Sequence, residues 1–288
     1  MAVLLAFLAA CSFALGNVLQ QKGDVETSAG TRGARFLVRI LAHPVWLAGL
    51  ASQVAGWVLQ AFALKHGALM VVQSVTTLSL VIALPLGVKI TNQQVTGRVV
   101  IGAVAMVTGI VLFLFAGSPQ GGTSQPGAAA WWSAIAGTVV VVGLLAGFGR
   151  VRGGAAQALL LGSAAGVVFA LQAAVTKVFM TGLGHGVAAL LGNWTTYALV
   201  SSAIMGFVLQ QSALRTDVLA SAMASSNAVT LFVSVIFGLT VFGESLSHGH
   251  GRLVPAIIGL AFALIGIVLL AGAKPPLAAE PIPGTSHA

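Results

Sequence analysis

The sequence predicts an all-α polytopic membrane bundle of about nine transmembrane helices, arranged as two inverted four-helix repeats plus one connecting helix. Three observations lead there. Hydrophobic residues make up 58% of the chain and charged residues 6%, with a mean hydropathy of +1.02, whereas soluble domains carry about 25% charge. Nine stretches stay apolar for about 20 residues, the length that spans a bilayer core. Finally, one segment occurs twice. Gly56–Leu69 reads GWVLQAFALKHGAL and Gly206–Leu219 reads GFVLQQSALRTDVL, identical at seven of fourteen positions. Matched Ala, Leu and Val mean little in so apolar a chain. Gly56/Gly206, Gln60/Gln210 and the basic Lys65/Arg215 carry the signal.

The first span covers residues 2–21. Leu8-Ala9-Ala10-Cys11 has the shape of a lipoprotein cleavage box. No Lys or Arg precedes it, however, and the apolar run continues to Leu19, so a transmembrane helix is expected, with a processed signal as the alternative. Spans at 44–64, 67–88 and 98–117 complete a first repeat over 1–117. Residues 36–42 between the first two spans are short and contain Arg39, which argues against a span and leaves a re-entrant piece open. The polar SPQGGTSQPG at 118–127 and an unpaired span at 131–148 form a connecting region over 118–153. Spans at 155–178, 187–212, 217–240 and 253–272 make a second repeat over 154–273. The tail at 274–288 is Pro-rich and is expected to be disordered. Pro85, late in the third span, is expected to kink it, whereas Pro255 falls in a first turn, where proline is tolerated.

The halves pair in order. Span 1 matches span 6, aligning Asn17 with Gln172, Gln21 with Thr176 and Lys22 with Lys177. Spans 2 and 3 match 7 and 8. Spans 4 and 9 both open on Gly-Arg (Gly97-Arg98, Gly251-Arg252) and share Gly-Ile-Val-Leu from Gly109 and Gly266. One odd helix between two groups of four inverts the second group. The charges agree. Lys22, Arg32, Arg35, Arg39, Lys89, Arg98, Arg150, Arg152, Arg215 and Lys274 fall on one face, and only Lys65, Lys177 and Arg252 on the other. The positive-inside rule then places the N-terminus outside and the C-terminus in the cytoplasm, in the cell membrane. The net charge of +8 is scattered over loops, which suits anionic headgroups and excludes nucleic acid as a partner. Cys11 is the single cysteine, excluding an intrachain disulfide and a thiolate metal cluster.

This order of motifs resembles the drug/metabolite transporter superfamily of EamA-type permeases. Gln20-Gln21-Lys22-Gly23 is similar to the end of that family's first helix, and Val241-Phe242-Gly243-Glu244-Ser245-Leu246 to its signature before the last helix. Within the superfamily the pattern is most similar to the NIPA-like branch, through Lys22–Asp24, His43–Gly49 and Gly56–Gln60. The resemblance covers the chain to about residue 272. It implies a carrier, and for that branch magnesium transport. Two positions depart: Trp57 stands where such sequences tend to carry glutamate, and the first-half counterpart of Glu244 falls near Lys89.

Asp24, Glu26, Asp217, Glu244 and Glu280 all lie in loops, helix ends or the tail. The spans therefore offer no mid-membrane carboxylate for magnesium, which is usually held by one or two carboxylates with retained waters. His43, His66, His185, His248, His250 and His287 are also at loops or ends, leaving no proton relay across the bilayer. His185, His248 and His250 could gather outside as an adventitious metal site, but solvated loop histidines are the simpler reading, and no metal site is assigned. The polar residues within the spans are neutral. Asn17 and Gln21, like Gln172 and Thr176, stand four apart on one helix face. Gln60 shares a face with Gln53 and Gly56 and has Gln210 as its mate; Thr76 and Thr77 match Ser226 and Asn227. These ten are the expected solute-lining residues. Helix–helix glue is the competing reading of each.

Lys177 and Glu244 carry opposite charges on the same expected outer face and form a candidate gate, against the plainer reading of a lysine snorkelling to headgroups. The expected function is alternating-access transport of a small polar or amphipathic metabolite. Magnesium transport is the alternative, and a non-transporting scaffold or sensor partner is the alternative of another class. No cofactor and no catalytic residue are assigned, since no nucleophile–base pair can be assembled within the spans. The expected partners are the solute and the lipid bilayer, with homo-oligomerisation left open.

Overall fold

The computed structural model describes residues 1–28, 42–91, 95–183, 191–214, 219–246 and 252–270. Ten helices follow in chain order: α1 (Ala2–Ser28), α2 (Pro44–His66), α3 (Leu69–Thr77), α4 (Ser79–Thr91), α5 (Gly97–Gly117), α6 (Ala128–Arg150), α7 (Gly154–Gly182), α8 (Trp194–Leu214), α9 (Leu219–Thr240) and α10 (Leu253–Leu270). Eight segments are long and apolar enough to cross a membrane, α3 and α4 counting as one. The helix α8 has 21 residues but is more polar, with Thr195, Thr196 and Tyr197 at its start and Gln210 and Gln211 near its end. The expected re-entrant piece at 36–42 (all but Ala42), the tail, and His185, Asp217, His248 and His250 lie outside the described residues.

Local chemistry sets several boundaries. Pro44 opens α2 at its first turn, where a missing N–H costs nothing. Ser118, in the left-handed region, ends α5 and returns its N–H to the Leu114 carbonyl. The first span, Ala2–Gly23, agrees with the sequence reading, and the helix itself continues past it through polar residues to Ser28.

The third span runs on as one from Leu69 to Thr91, with Pro85 inside α4 and a single tightened turn at Leu78, whose backbone stays right-handed helical at φ −59, ψ −15. Thr76 and Thr77 both donate their hydroxyls to the Gln73 carbonyl, at 3.1 and 2.6 Å. Leu78 N–H bonds to the Val75 carbonyl, tightening the turn. Hydroxyl competition for backbone carbonyls is known to bend helices.

Packing runs through close glycine contacts, as expected where lipid offers no hydrophobic drive between helices. The antiparallel pair α5 and α10 nearly touches backbone to backbone. A Cβ added at Gly102 would lie 3.0 Å from the Gly266 carbonyl, and one at Gly266 would lie 2.7 Å from the Gly102 carbonyl. Gly109 and Gly259 are equally close, with a Cβ on Gly259 2.8 Å from the Gly109 carbonyl. Between α1 and α2, Gly16 and Gly49 approach each other, and Gly56 accommodates the Phe13 ring. Between α7 and α8, Gly206 accommodates the Phe169 ring in the same way. Contact of α7 with α9 is made through Gly162 and Gly166, whose carbonyl accepts a hydrogen bond from Thr230 at 3.1 Å. The helix α6 lies at the edge against α7, with Trp132, Val139 and Phe148 exposed.

One departure from an all-helical reading is small. Gln120–Gly121 (β1) and Glu244–Ser245 (β2) pair as a two-residue antiparallel ribbon, tying the linker after α5 to the connection after α9. Thr123 N–H adds a bond to the Phe242 carbonyl at 2.7 Å.

Replacing Gly109 by leucine is expected to separate α5 from α10 and to cost about 1–3 kcal/mol or more. The matching control, Gly143→Leu on α6, meets open space and is expected to leave stability unchanged. Thermal unfolding of the two variants in detergent checks this.

Candidate functional site

The first turn of α3 needs acceptors for its free N–H groups, and the preceding Ala68 gives it no side-chain cap. Glu244 takes that role from 174 residues away. Its Oε1 accepts from Leu69 N–H, and its Oε2 accepts from Met70 N–H at 3.0 Å. The carboxylate thus sits at the positive end of a helix, which favours negative charge. Lys177, near the end of α7, completes the site with Nζ 2.6 Å from Glu244 Oε1. On its other side the ammonium lies 4.5 Å from the centroid of the Phe242 ring. Phe242 meets Trp131 edge-on at 6.2 Å, and Trp131 meets Trp194 edge-on at 5.0 Å.

Both charges are buried, Lys177 being 7% exposed and Glu244 2%. Leaving either buried charge alone would be costly, so the pair stands or falls together. Two glycines press on the carboxylate. A Cβ at Gly238 would lie 2.7 Å from Oε2, and one at Gly122 would lie 2.8 Å from Cγ. Gly122 also has φ +94, a conformation that disfavours any other residue.

The sequence reading held that all five acids lie at helix ends, in loops or in the tail, and from this that no buried carboxylate is available. The second step is corrected here. Glu244 follows a helix end, yet the ribbon, α3, α7 and Phe242 enclose it.

The expected lining residues fall into separate groups. Asn17 accepts from Gln53 Nε2 across α1 and α2. Gln60 Nε2 donates to Gln73 Oε1 at 3.5 Å, and Thr76 reaches the same oxygen at 3.4 Å, so Gln60 and Thr76 meet through Gln73. Thr77 spends its hydroxyl on the Gln73 backbone. Gln21 is half-buried on α1. In the second half, Thr176 donates to the Gln172 carbonyl at 2.7 Å, Ser226 offers its carbonyl to Thr230, and Asn227 donates to the Met223 carbonyl. Gln210 has a buried Oε1 without a hydrogen-bond partner. Its first-half mate Gln60 has Gln73; the residue matching Gln73 is Met223, which offers no side-chain donor.

Gln73, Phe242 and Trp131 are missing from the sequence-predicted set. Gln73 was detectable, standing three and four positions before Thr76 and Thr77 in an apolar span. Phe242 and Trp131 carry no such signal, because aromatic residues are ordinary in apolar spans.

At the opposite end of the bundle, about 34 Å away along the 23 residues of α2, the side chains of Lys22 and Glu26 are exposed and His43 is half-buried. Lys22 Nζ lies 3.9 Å from Glu26 Oε1, and His43 Nε2 lies 3.4 Å from Glu26 Oε2.

Fold and site together define an all-α bundle of long apolar helices, suited to a membrane, with a buried ion pair closing one end. Among known proteins, an uncharacterized protein of Corynebacterium glutamicum is 26% identical over 275 residues, covering 94% of each chain. No family model matches the chain, and no solved structure matches it.

Lys177→Met is expected to destabilise the protein by about 3 kcal/mol, by leaving a buried carboxylate without its cation. Adding Glu244→Gln is expected to cost less than the sum of the single changes. The exchanged pair Lys177→Glu with Glu244→Lys is expected to stay unstable, because an ammonium would then face the N–H groups of Leu69 and Met70. Thermal unfolding of the four variants measures this.

Proposed function

We propose that this protein is a secondary transporter of the drug/metabolite transporter type, moving a small polar or amphipathic metabolite by alternating access. In this reading nine helical crossings form two inverted four-helix repeats around α6, in the cell membrane, with the N-terminus outside and the C-terminus in the cytoplasm. The observation that carries it is the reciprocity of the α5–α10 contact. A shift of 157 positions takes Gly102 onto Gly259 and Gly109 onto Gly266. Gly102 meets Gly266, and Gly109 meets Gly259. Exchanging the halves therefore maps the contact onto itself, as a two-fold axis does. For an antiparallel pair that axis runs across the helices, in the membrane plane, which is the arrangement of inverted-repeat carriers.

Two further features support it. The doubled segment repeats its environment, since Gly56 and Gly206 each accommodate a phenylalanine ring from the first helix of their half. The third span also carries a polar cluster, in which Gln73 bonds to Gln60 and to Thr76, and carriers bind solute between their halves near the midplane. Lys177 and Glu244 then close the end read as external, while at the end read as cytoplasmic the described ion-pairing groups are the exposed side chains of Lys22 and Glu26 with the half-buried His43.

Magnesium fits less well. The oxygens of Glu244 are already taken by an ammonium and two N–H groups. Among the described residues, no group of three His, Cys, Asp or Glu could hold a metal ion.

With cysteines at Gln60 and Gln210, solute is expected to change labelling reciprocally from the two membrane sides. No change with any solute of a metabolite panel supports a scaffold instead. Uptake of magnesium in a transport-deficient host is expected to stay at background, and robust, saturable uptake would overturn the preference for an organic solute.

A further inference from the structure

We infer that Glu244 and Phe242 form a binding site for an organic ammonium group, which the Lys177 ammonium fills while this end of the bundle is closed. The inference rests on the carrier reading and names its class of solute: a small amine or methylated ammonium.

The surroundings of Lys177 Nζ have the chemistry by which proteins hold such cations. A carboxylate oxygen lies at 2.6 Å and an aromatic face at 4.5 Å. Ion pairing to the carboxylate and cation–π attraction to the ring together favour an organic ammonium, with or without N–H groups of its own. Phe242 is fully buried and is fixed from behind by Trp131.

The two partners differ in mobility. Glu244 is anchored by two backbone N–H groups and confined by Gly238 and Gly122. None of these contacts involves Lys177. The lysine, by contrast, has a flexible four-carbon stem in the last turns of α7, within reach of the membrane surface by snorkelling.

Charge balance decides the solute class. Opening this end requires Lys177 to leave. A neutral or anionic solute would then leave Glu244 buried without a cation, which is strongly unfavourable. An ammonium-bearing solute exchanges one cation for another, and the carboxylate is never unpaired. A bare divalent ion does not serve, because it demands several oxygen ligands or retained waters, whereas this site offers one shared carboxylate and an aromatic wall.

The test uses purified full-length protein and tetramethylammonium as the probe. Lys177 acetylation by an impermeant amine-reactive reagent is followed by peptide mass spectrometry, with the exposed Lys65 as internal control. Tetramethylammonium is expected to raise Lys177 labelling about fivefold over sodium at equal ionic strength, through a shift in the population of the open pair. Labelling of Lys65 is expected to stay constant. Unchanged Lys177 labelling, or an equal rise with sodium or magnesium, would overturn the inference. In a second arm, tetramethylammonium is expected to raise the Tm of Lys177→Met saturably, and not that of Lys177→Met/Glu244→Gln. Equal shifts in both variants also overturn it. Both arms read binding at equilibrium, so they fail or succeed independently of any transport assay.

Discussion

The carboxylate of Glu244 is the point on which one end of the bundle depends. It caps α3, neutralises the ammonium of α7, and is delivered by the connection between α9 and α10 through the β1–β2 ribbon. Elements far apart in sequence are thereby held by a single side chain. A buried ion pair contributes little net stability over an apolar replacement, but it penalises arrangements that separate its members. Its value here lies in selecting one arrangement of this end.

Close backbone approach imposes the second constraint. The α5–α10 contact, through Gly102, Gly109, Gly259 and Gly266, leaves no room for side chains at four positions. Gly137, Gly143 and Gly147 on α6 meet open space. Glycine is therefore a packing device in the paired helices and has no comparable role on that face of the edge helix. The same contrast fits a carrier in which paired helices move as units beside a connecting one.

The two ends of the bundle differ although the sequence repeats. Lys22 and Lys177 are mates, but Lys22 pairs with a half-exposed Glu26 while Lys177 is enclosed. Gln60 has Gln73 to bond, whereas Gln210, with methionine at the position that matches Gln73, keeps a buried acceptor without a partner. The two ends therefore differ in their polar contents, one enclosing its charges and the other leaving them part-exposed.

Much of this was legible in the chain. Among the described residues, eight of the nine expected spans follow from hydrophobic length, because only a continuous apolar run tolerates the bilayer, whereas α8 is too polar to be counted with them. The scarcity of acids pointed to Lys177 and Glu244, and the structure brings those two side chains into contact. Other features were not legible. The tightened turn at Leu78 has no local sequence signal, whereas Pro85, the stronger local signal, lies inside α4. Phe242 and Trp131 look like any apolar residues until Lys177 lies against a ring. The sequence by itself determined an apolar helical bundle, its doubled segments and the few charges available, since these depend on composition and period. Only the tertiary structure decided that Glu244 is buried and which donors surround it. Burial depends on elements remote in the chain closing over a loop residue, and no local pattern records that.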